Sequence, residues 1–226
     1  TSTMNTCAVR LLMIALLVGP LQTAARAADD PPLKVLFIGT SYTSFNNLPA
    51  MVEGLAEAGD AQEIVADRHL FGGCTLERHV RQQGALDKIR SQAWDFVVLQ
   101  EQSLRPVVDR AAMHEYARVL DAAIKRRGAT TVFYLTWARR HIPEMQQGAD
   151  PTTSPKYARA MYAVSGMAKV VEFDTWCKQQ RSGLQGGLNG GYGDVARELG
   201  ATVAPVGIAW QKALAADPKL VLHTAD

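Results

Sequence analysis

Hydrophobic and polar positions along this chain alternate between two periods. Val35-Leu36-Phe37-Ile38 is an unbroken apolar run, opened by Pro31-Pro32 and closed by Gly39. Such a run reads as a parallel strand buried on both faces, Leu33–Ile38. Leu48–Ala58 has apolar residues at helical spacing and stops at Gly59. Glu63–Leu70 alternates as a second strand near an edge. Thr75–Gln83 and Ala85–Ser91 read as short helices parted by Gly84, and Asp95–Leu99 as another buried strand. Ala111–Arg127 is an amphipathic helix with Asp109 as its cap and Gly128 as its stop. Thr130–Leu135 is a fourth strand, Trp137–Pro155 a long polar loop and Pro155–Val170 a helix. The glycine-rich Leu184–Gly193 reads as irregular. Asp194–Leu199 is helical, Ala201–Pro205 is a fifth strand and Val206–Ala216 a closing helix. Strands alternating with helices imply an α/β fold: a five-stranded parallel sheet with helices on both faces, in three layers.

The amino-terminal residues do not fit that pattern. Arg10 precedes an apolar stretch, Leu11–Val18, and Ala25-Arg26-Ala27 is a small-x-small cleavage site. Residues 1–27 therefore read as a secretory signal peptide, with Thr1-Ser2-Thr3 upstream of the initiator Met4. The apolar core is too short to span a bilayer, so no stable membrane anchor is expected after cleavage. The expectation is a secreted or periplasmic protein whose single domain is residues 28–226. The whole chain carries 24 basic and 22 acidic residues; residues 1–27 hold Arg10 and Arg26 and no acid, so the remainder is formally neutral. That balance argues against a nucleic-acid or anionic-membrane surface. Cys74 and Cys177 remain as isolated thiols or a disulfide pair. With no Cys-x-x-Cys and no histidine pair at ligand spacing, no metal site is expected.

Right-handed crossovers put the carboxyl end of every strand on one rim, where open α/β sheets place their ligands. The loops leaving that rim begin at Gly39, Phe71, Gln100 and Thr136. They carry Ser41, Gly72-Gly73 and Gln100-Glu101-Gln102-Ser103. A serine on a tight turn after a buried strand is placed for nucleophilic attack, or it belongs to a hydroxyl-rich loop that caps the next helix. Backbone N–H groups at Ser41 and Gly73, with a side-chain amide from Gln100 or Gln102, have the chemistry of an oxyanion site. The plainer readings are a tight Gly-Gly turn and a solvated loop in which Glu101 pairs with Arg105.

These residues resemble the SGNH (GDSL-type) hydrolases, serine esterases on a flavodoxin-like sheet. Gly39-Thr40-Ser41-Tyr42-Thr43 looks like the Gly-Asp-Ser-x-Thr first block, with Thr40 in place of the acid. Gly73 looks like the second-block glycine. Gln100-Glu101-Gln102-Ser103 stands where most members have Gly-x-Asn-Asp, and here either Gln100 or Gln102 is the amide donor. The resemblance implies a flavodoxin-like three-layer sandwich, Ser41 as nucleophile, and an oxyanion hole from Ser41, Gly73 and Gln100 or Gln102. It implies no cofactor and a small-molecule or carbohydrate ester as substrate. Asp226 looks like the acid of the Asp-x-x-His block, whose histidine falls three positions later, beyond these 226 residues. The expectation is therefore a chain cut before its catalytic base, near-inactive by itself. His69, His79, His114, His141 and His223 read as structural or surface residues. The competing readings are a flavin-nucleotide carrier, on the hydroxyl-rich Thr40–Asn47 loop, and a non-catalytic carbohydrate-binding protein that uses Trp94, Trp137, Trp176 and Trp210.

Overall fold

The computed structural model describes residues 30–140, 143–147 and 186–223. Its strands and helices belong to one unit, Pro31–Asp226. The signal-peptide segment, the helix expected over Pro155–Val170, His141, Trp176, Cys177 and Asp226 lie outside the described residues.

All five strands expected from the sequence form one parallel sheet. They are β1 (Leu33–Gly39), β2 (Ile64–Leu70), β3 (Phe96–Leu99), β4 (Thr130–Tyr134) and β5 (Thr202–Ala204), in the order β2-β1-β3-β4-β5. The apolar run of β1 is buried from Val35 to Gly39 because both faces of the sheet are covered. Leu36 and Ile38 face one layer of helices; Val35 and Phe37 face the other. The first layer contains α3 (Leu76–Arg81), α4 (Ala85–Arg90), α5 (Arg105–Val108), α6 (Arg110–Arg126) and α7 (Gly187–Leu199). The second contains α2 (Leu48–Ala58) and α8 (Val206–Ala216). A four-residue helix, α1 (Ser41–Ser44), leads from β1 into that second layer.

Local chemistry sets the element ends. The Asp109 carboxylate accepts from Ala112 N–H at 3.3 Å and starts α6, and Gly128, at φ +76°, turns the chain out of it. The buried side of α6 carries Met113, Ala117, Leu120 and Ile124, the stripe that a 3.6-residue period requires.

One expectation needs correction, and one open alternative is decided for Cys74. The glycine-rich segment is not irregular: from Gly187 onward it is the start of α7. Gly191 explains the composition. A β-carbon there would lie 2.7 Å from the Pro106 carbonyl oxygen, so glycine lets α7 lie directly against α5. Cys74 is a free, buried thiol rather than half of a disulfide.

Two substitutions in α7 separate packing from propensity. Gly191→Ala is expected to destabilise by about 1–3 kcal/mol through overpacking. Gly193→Ala, where a β-carbon meets open space, is expected to stabilise by up to about 1 kcal/mol. Urea unfolding of the two variants checks the opposite signs.

Candidate active site

The strand order reverses between β1 and β3, and the loops that leave those two strands meet there. β1 ends at Gly39, and Thr40 caps α1 with its Oγ1 accepting from Tyr42 N–H at 3.3 Å. Ser41 is the first residue of α1 and is exposed. Beneath it lies Gln100, the residue after β3, fully buried. Its Oε1 accepts from Thr40 N–H at 2.8 Å, Thr40 Oγ1–H at 3.0 Å and Thr43 Oγ1–H at 3.0 Å. Its Nε2 donates to the Glu101 carbonyl. The backbone N–H and the carbonyl each allow one role, so they fix which end of the amide is which.

Gly39 makes room for this arrangement. A β-carbon there would sit 2.8 Å from Gln100 Oε1 and 2.9 Å from Thr43 Oγ1. Its carbonyl accepts from Phe71 N–H at 3.1 Å and from His79 Nε2–H at 3.0 Å. The first of these bonds brings the Phe71-Gly72-Gly73 turn to the same rim, just past the Gly39–Leu70 register pair. Gly73 is exposed at φ +63°, a left-handed conformation suited to glycine.

The Glu101 carboxylate ties the next turn in. It accepts from Leu76 N–H at 3.2 Å, at the start of α3, and from Gln102 N–H at 2.6 Å. It is not the partner of Arg105, which pairs with Glu77 at 2.9 Å and Asp109 at 3.1 Å. Gln102 is half-buried; its Oε1 accepts from Leu104 and Arg105 N–H at 2.8 and 3.1 Å, and its Nε2 donates to Ser103 Oγ.

Above these turns is a cavity of about 470 Å³, lined in part by Ser41, Tyr42, Trp137, Arg139, Trp210 and His223. Gly73, Gln100 and Gln102 are not among the described residues that line it. The Gln100 carboxamide lies under the Ser41 turn, with its oxygen, not its N–H, turned toward that turn; the role of amide donor at the cavity does not fit this position. Tyr42, Trp137 and Trp210 form a parallel stack, with ring centroids 4.9 and 4.2 Å apart. The His223 ring meets Trp210 edge-on at 5.2 Å, and its Nε2–H donates to the Ala138 carbonyl at 3.1 Å.

The loop after β4, which carries Trp137 and Arg139, is held by a second buried amide. Gln146 Oε1 accepts from Ala138 N–H at 2.8 Å, while its Nε2 donates to Thr136 O and Asn189 Oδ1 at 3.2 and 2.6 Å. The sequence reading named Trp137 and Trp210 only as separate candidates for carbohydrate stacking; it missed their stack with Tyr42, and Arg139 and Gln146. Tyr42 lies on α1, Trp210 on α8 and the others on the Trp137–Pro155 loop, where no periodic pattern marks a cavity wall. His223, a structural or surface residue on the sequence reading, lines the cavity. His69, His79 and His114 are not among the described residues lining the cavity.

Burial perturbs several ionisable groups near the rim, Glu101 and His79 among them. It pushes the Glu101 carboxyl up to about 7, against the pull of its two N–H donors. It pushes His79 down to about 4, so this ring is neutral and donates through Nε2. The signs of the stability effects are opposite. As pH rises from the ordinary carboxylate range to about 7, the unfolded chain loses the Glu101 proton first, and stability falls. As pH falls from the ordinary histidine range to about 4, the unfolded chain gains the His79 proton first, and stability again falls. The windows overlap, so the two slopes oppose each other in the native protein. Glu101→Gln is expected to unmask the histidine slope, with thermal stability rising more steeply between about pH 5 and pH 7 than in the native protein. An unchanged slope would show that Glu101 titrates normally. Gln100→Leu preserves volume but leaves the Thr40 N–H unpaired, and is expected to cost about 1–3 kcal/mol in urea unfolding.

No protein-family model matches the sequence, and no curated protein matches it. Solved structures do. A candidate SGNH hydrolase from Slackia heliotrinireducens is 26% identical over 80% of this chain and 83% of its own, with a TM-score of 0.52. AlinE4, an SGNH-hydrolase family esterase, is 16% identical over 87% and 86%, with a TM-score of 0.51. The acetyl xylan esterase AlAXEase is 10% identical over 82% and 83%, with a TM-score of 0.50. The parallel sheet of order β2-β1-β3-β4-β5, with a Gly-x-Ser-x-Thr turn leaving β1, is thus the fold of the SGNH hydrolases.

Proposed function

We propose that the protein is an exported serine esterase with Ser41 as its nucleophile. The observation that carries this reading is the placement of Ser41. It is exposed on a turn locked from below by Gln100, and it opens onto a cavity large enough for a small ester. Ser41 Oγ attacks the ester carbonyl carbon, and the carbonyl π electrons move to oxygen. Ser41 N–H and Gly73 N–H, neither of which is spent on a hydrogen bond among the described residues, are the donors for that oxyanion. Collapse expels the alkoxide, which takes up the proton that came from Ser41. Water then hydrolyses the acyl-serine by the same steps. Gln100 and Gln102 act as positioning residues: one under the nucleophile turn, the other at the start of α5.

The proton acceptor is a histidine oriented by Asp226, as the Asp-x-x-His resemblance implies. His223 shares the cavity with Ser41, but its Nε2–H is held by the Ala138 carbonyl and no carboxylate among the described residues orients it. It belongs to the cavity wall. Export rests on the charged and apolar pattern of residues 1–27. Acetyl or other short acyl esters, free or on carbohydrate, are the substrate class proposed from the esterases that share the fold.

The test is hydrolysis of p-nitrophenyl acetate by this chain and by one continued through a histidine three positions after Asp226. The longer chain is expected to be faster by several orders of magnitude, and Ser41→Ala in it to fall to background. His223→Ala in it is expected to cost less than about tenfold. Equal rates for the two chains, or activity surviving Ser41→Ala, would overturn the reading. A loss at His223 as large as that at Ser41 would make His223 the base.

A further inference from the structure

The crevice that begins at Ser41 does not end at His223. A second cavity of about 290 Å³ shares Arg139, Trp210 and His223 with the first and continues past them to Arg140 and Lys219. The two ends differ in chemistry. Around Ser41 the lining includes Phe45, Leu48 and Met51, of which Phe45 and Met51 are large, exposed apolar side chains. Beyond the aromatic stack, Arg139, Arg140 and Lys219 line the crevice, and none of the described lining residues there is acidic. None of these three cations makes an ion pair among the described residues. Arg139 donates from Nη2 to Ser103 Oγ at 3.3 Å, while its buried Nε–H has no acceptor there. A buried donor without a partner is uncommon in a native fold. Arg139 itself lines both cavities.

Resting on the esterase reading, we propose that the substrate is an ester whose alcohol portion bears an anionic group, a carboxylate or a phosphate. The acyl group lies against Phe45, Leu48 and Met51. The alcohol portion passes the edges of the Tyr42-Trp137-Trp210 stack, and its anion is received by Arg139 with Arg140 and Lys219 behind it. A guanidinium suits this role because its planar N–H groups match a carboxylate or phosphate edge. Cations gathered in a crevice with protein walls also raise the local concentration of anions. The formal neutrality of the chain without residues 1–27 makes this cluster a local feature rather than a general surface charge.

Binding to Ser41→Ala is measured by titration calorimetry, so that turnover plays no part. The probes are 4-acetoxybenzoate, its neutral methyl ester, and 4-acetoxyphenyl phosphate. The anionic esters are expected to bind at least about tenfold tighter than the methyl ester at low salt. The advantage is expected to shrink at about 0.5 M salt and to vanish in Arg139→Gln/Arg140→Gln. Whichever anion binds tighter names the source. Should the double variant fail to fold, Lys219→Gln, at an exposed side chain, and the salt dependence of the folded protein carry the same test. Equal binding of the charged and neutral esters, or a preference that survives the loss of the cations, would overturn the proposal. Hydrolysis of p-nitrophenyl acetate that survives Ser41→Ala would overturn the esterase reading while leaving the binding result to stand by itself.

Discussion

One carboxamide oxygen organises the rim of this protein. Gln100 Oε1 receives the Thr40 N–H and the hydroxyls of Thr40 and Thr43 in a place that solvent does not reach. A buried backbone donor without a partner is costly, so the β1–α1 turn has one low-energy position as long as Gln100 is there. The neighbours conform to it. Gly39 lacks a β-carbon because that oxygen lies 2.8 Å from where one would be. Thr40 replaces the acid that the SGNH first block usually carries, and its hydroxyl relays the constraint by accepting from Tyr42 N–H while donating to Gln100. The exposure of Ser41 goes with the hydrogen bonds that hold Thr40 and Thr43 on Gln100.

The next residue extends the same device to a second loop. Glu101 reaches back to Leu76 N–H, so β3 ends in two adjacent side chains, one pinning the loop after β1 and the other the loop after β2. A carboxylate used in this way pays in desolvation, which appears as its raised proton affinity. His79 balances it from the other side of Gly39, neutral and equally buried. On the far wall, Gln146 repeats the pattern of a buried amide serving a loop. Two buried amides that both accept and donate, Gln100 and Gln146, and one buried carboxylate that only accepts, Glu101, thus set the shape of a cavity whose own walls are largely apolar and aromatic.

The layered fold was legible because it depends on periodicity. The β1 run, the alternation of β2 and the capped stripe of α6 each announce their element, and the ends of α2 and α8 coincide with those read from the chain. Leu184–Gly193 was misread because glycine signals irregularity by its conformational freedom, whereas here its small size matters more: Gly191 admits Pro106. At the site, Ser41 and the two glutamines were legible as residue types at a strand end. The direction of the Gln100 amide was not, because composition does not tell which end of a carboxamide meets a backbone N–H. Trp137 and Trp210 were legible only as separate candidate stacking surfaces, because the fold alone brings them together with Tyr42. The cations past His223 were invisible for the same reason.

The most direct measurement is native-state hydrogen exchange at the Thr40 amide. If Gln100 holds the nucleophile turn as described, this amide exchanges as slowly as those inside β1, through global unfolding. Exchange at the rate of the open Gly73 turn would contradict the account, because the turn that carries Ser41 would then move independently of the sheet.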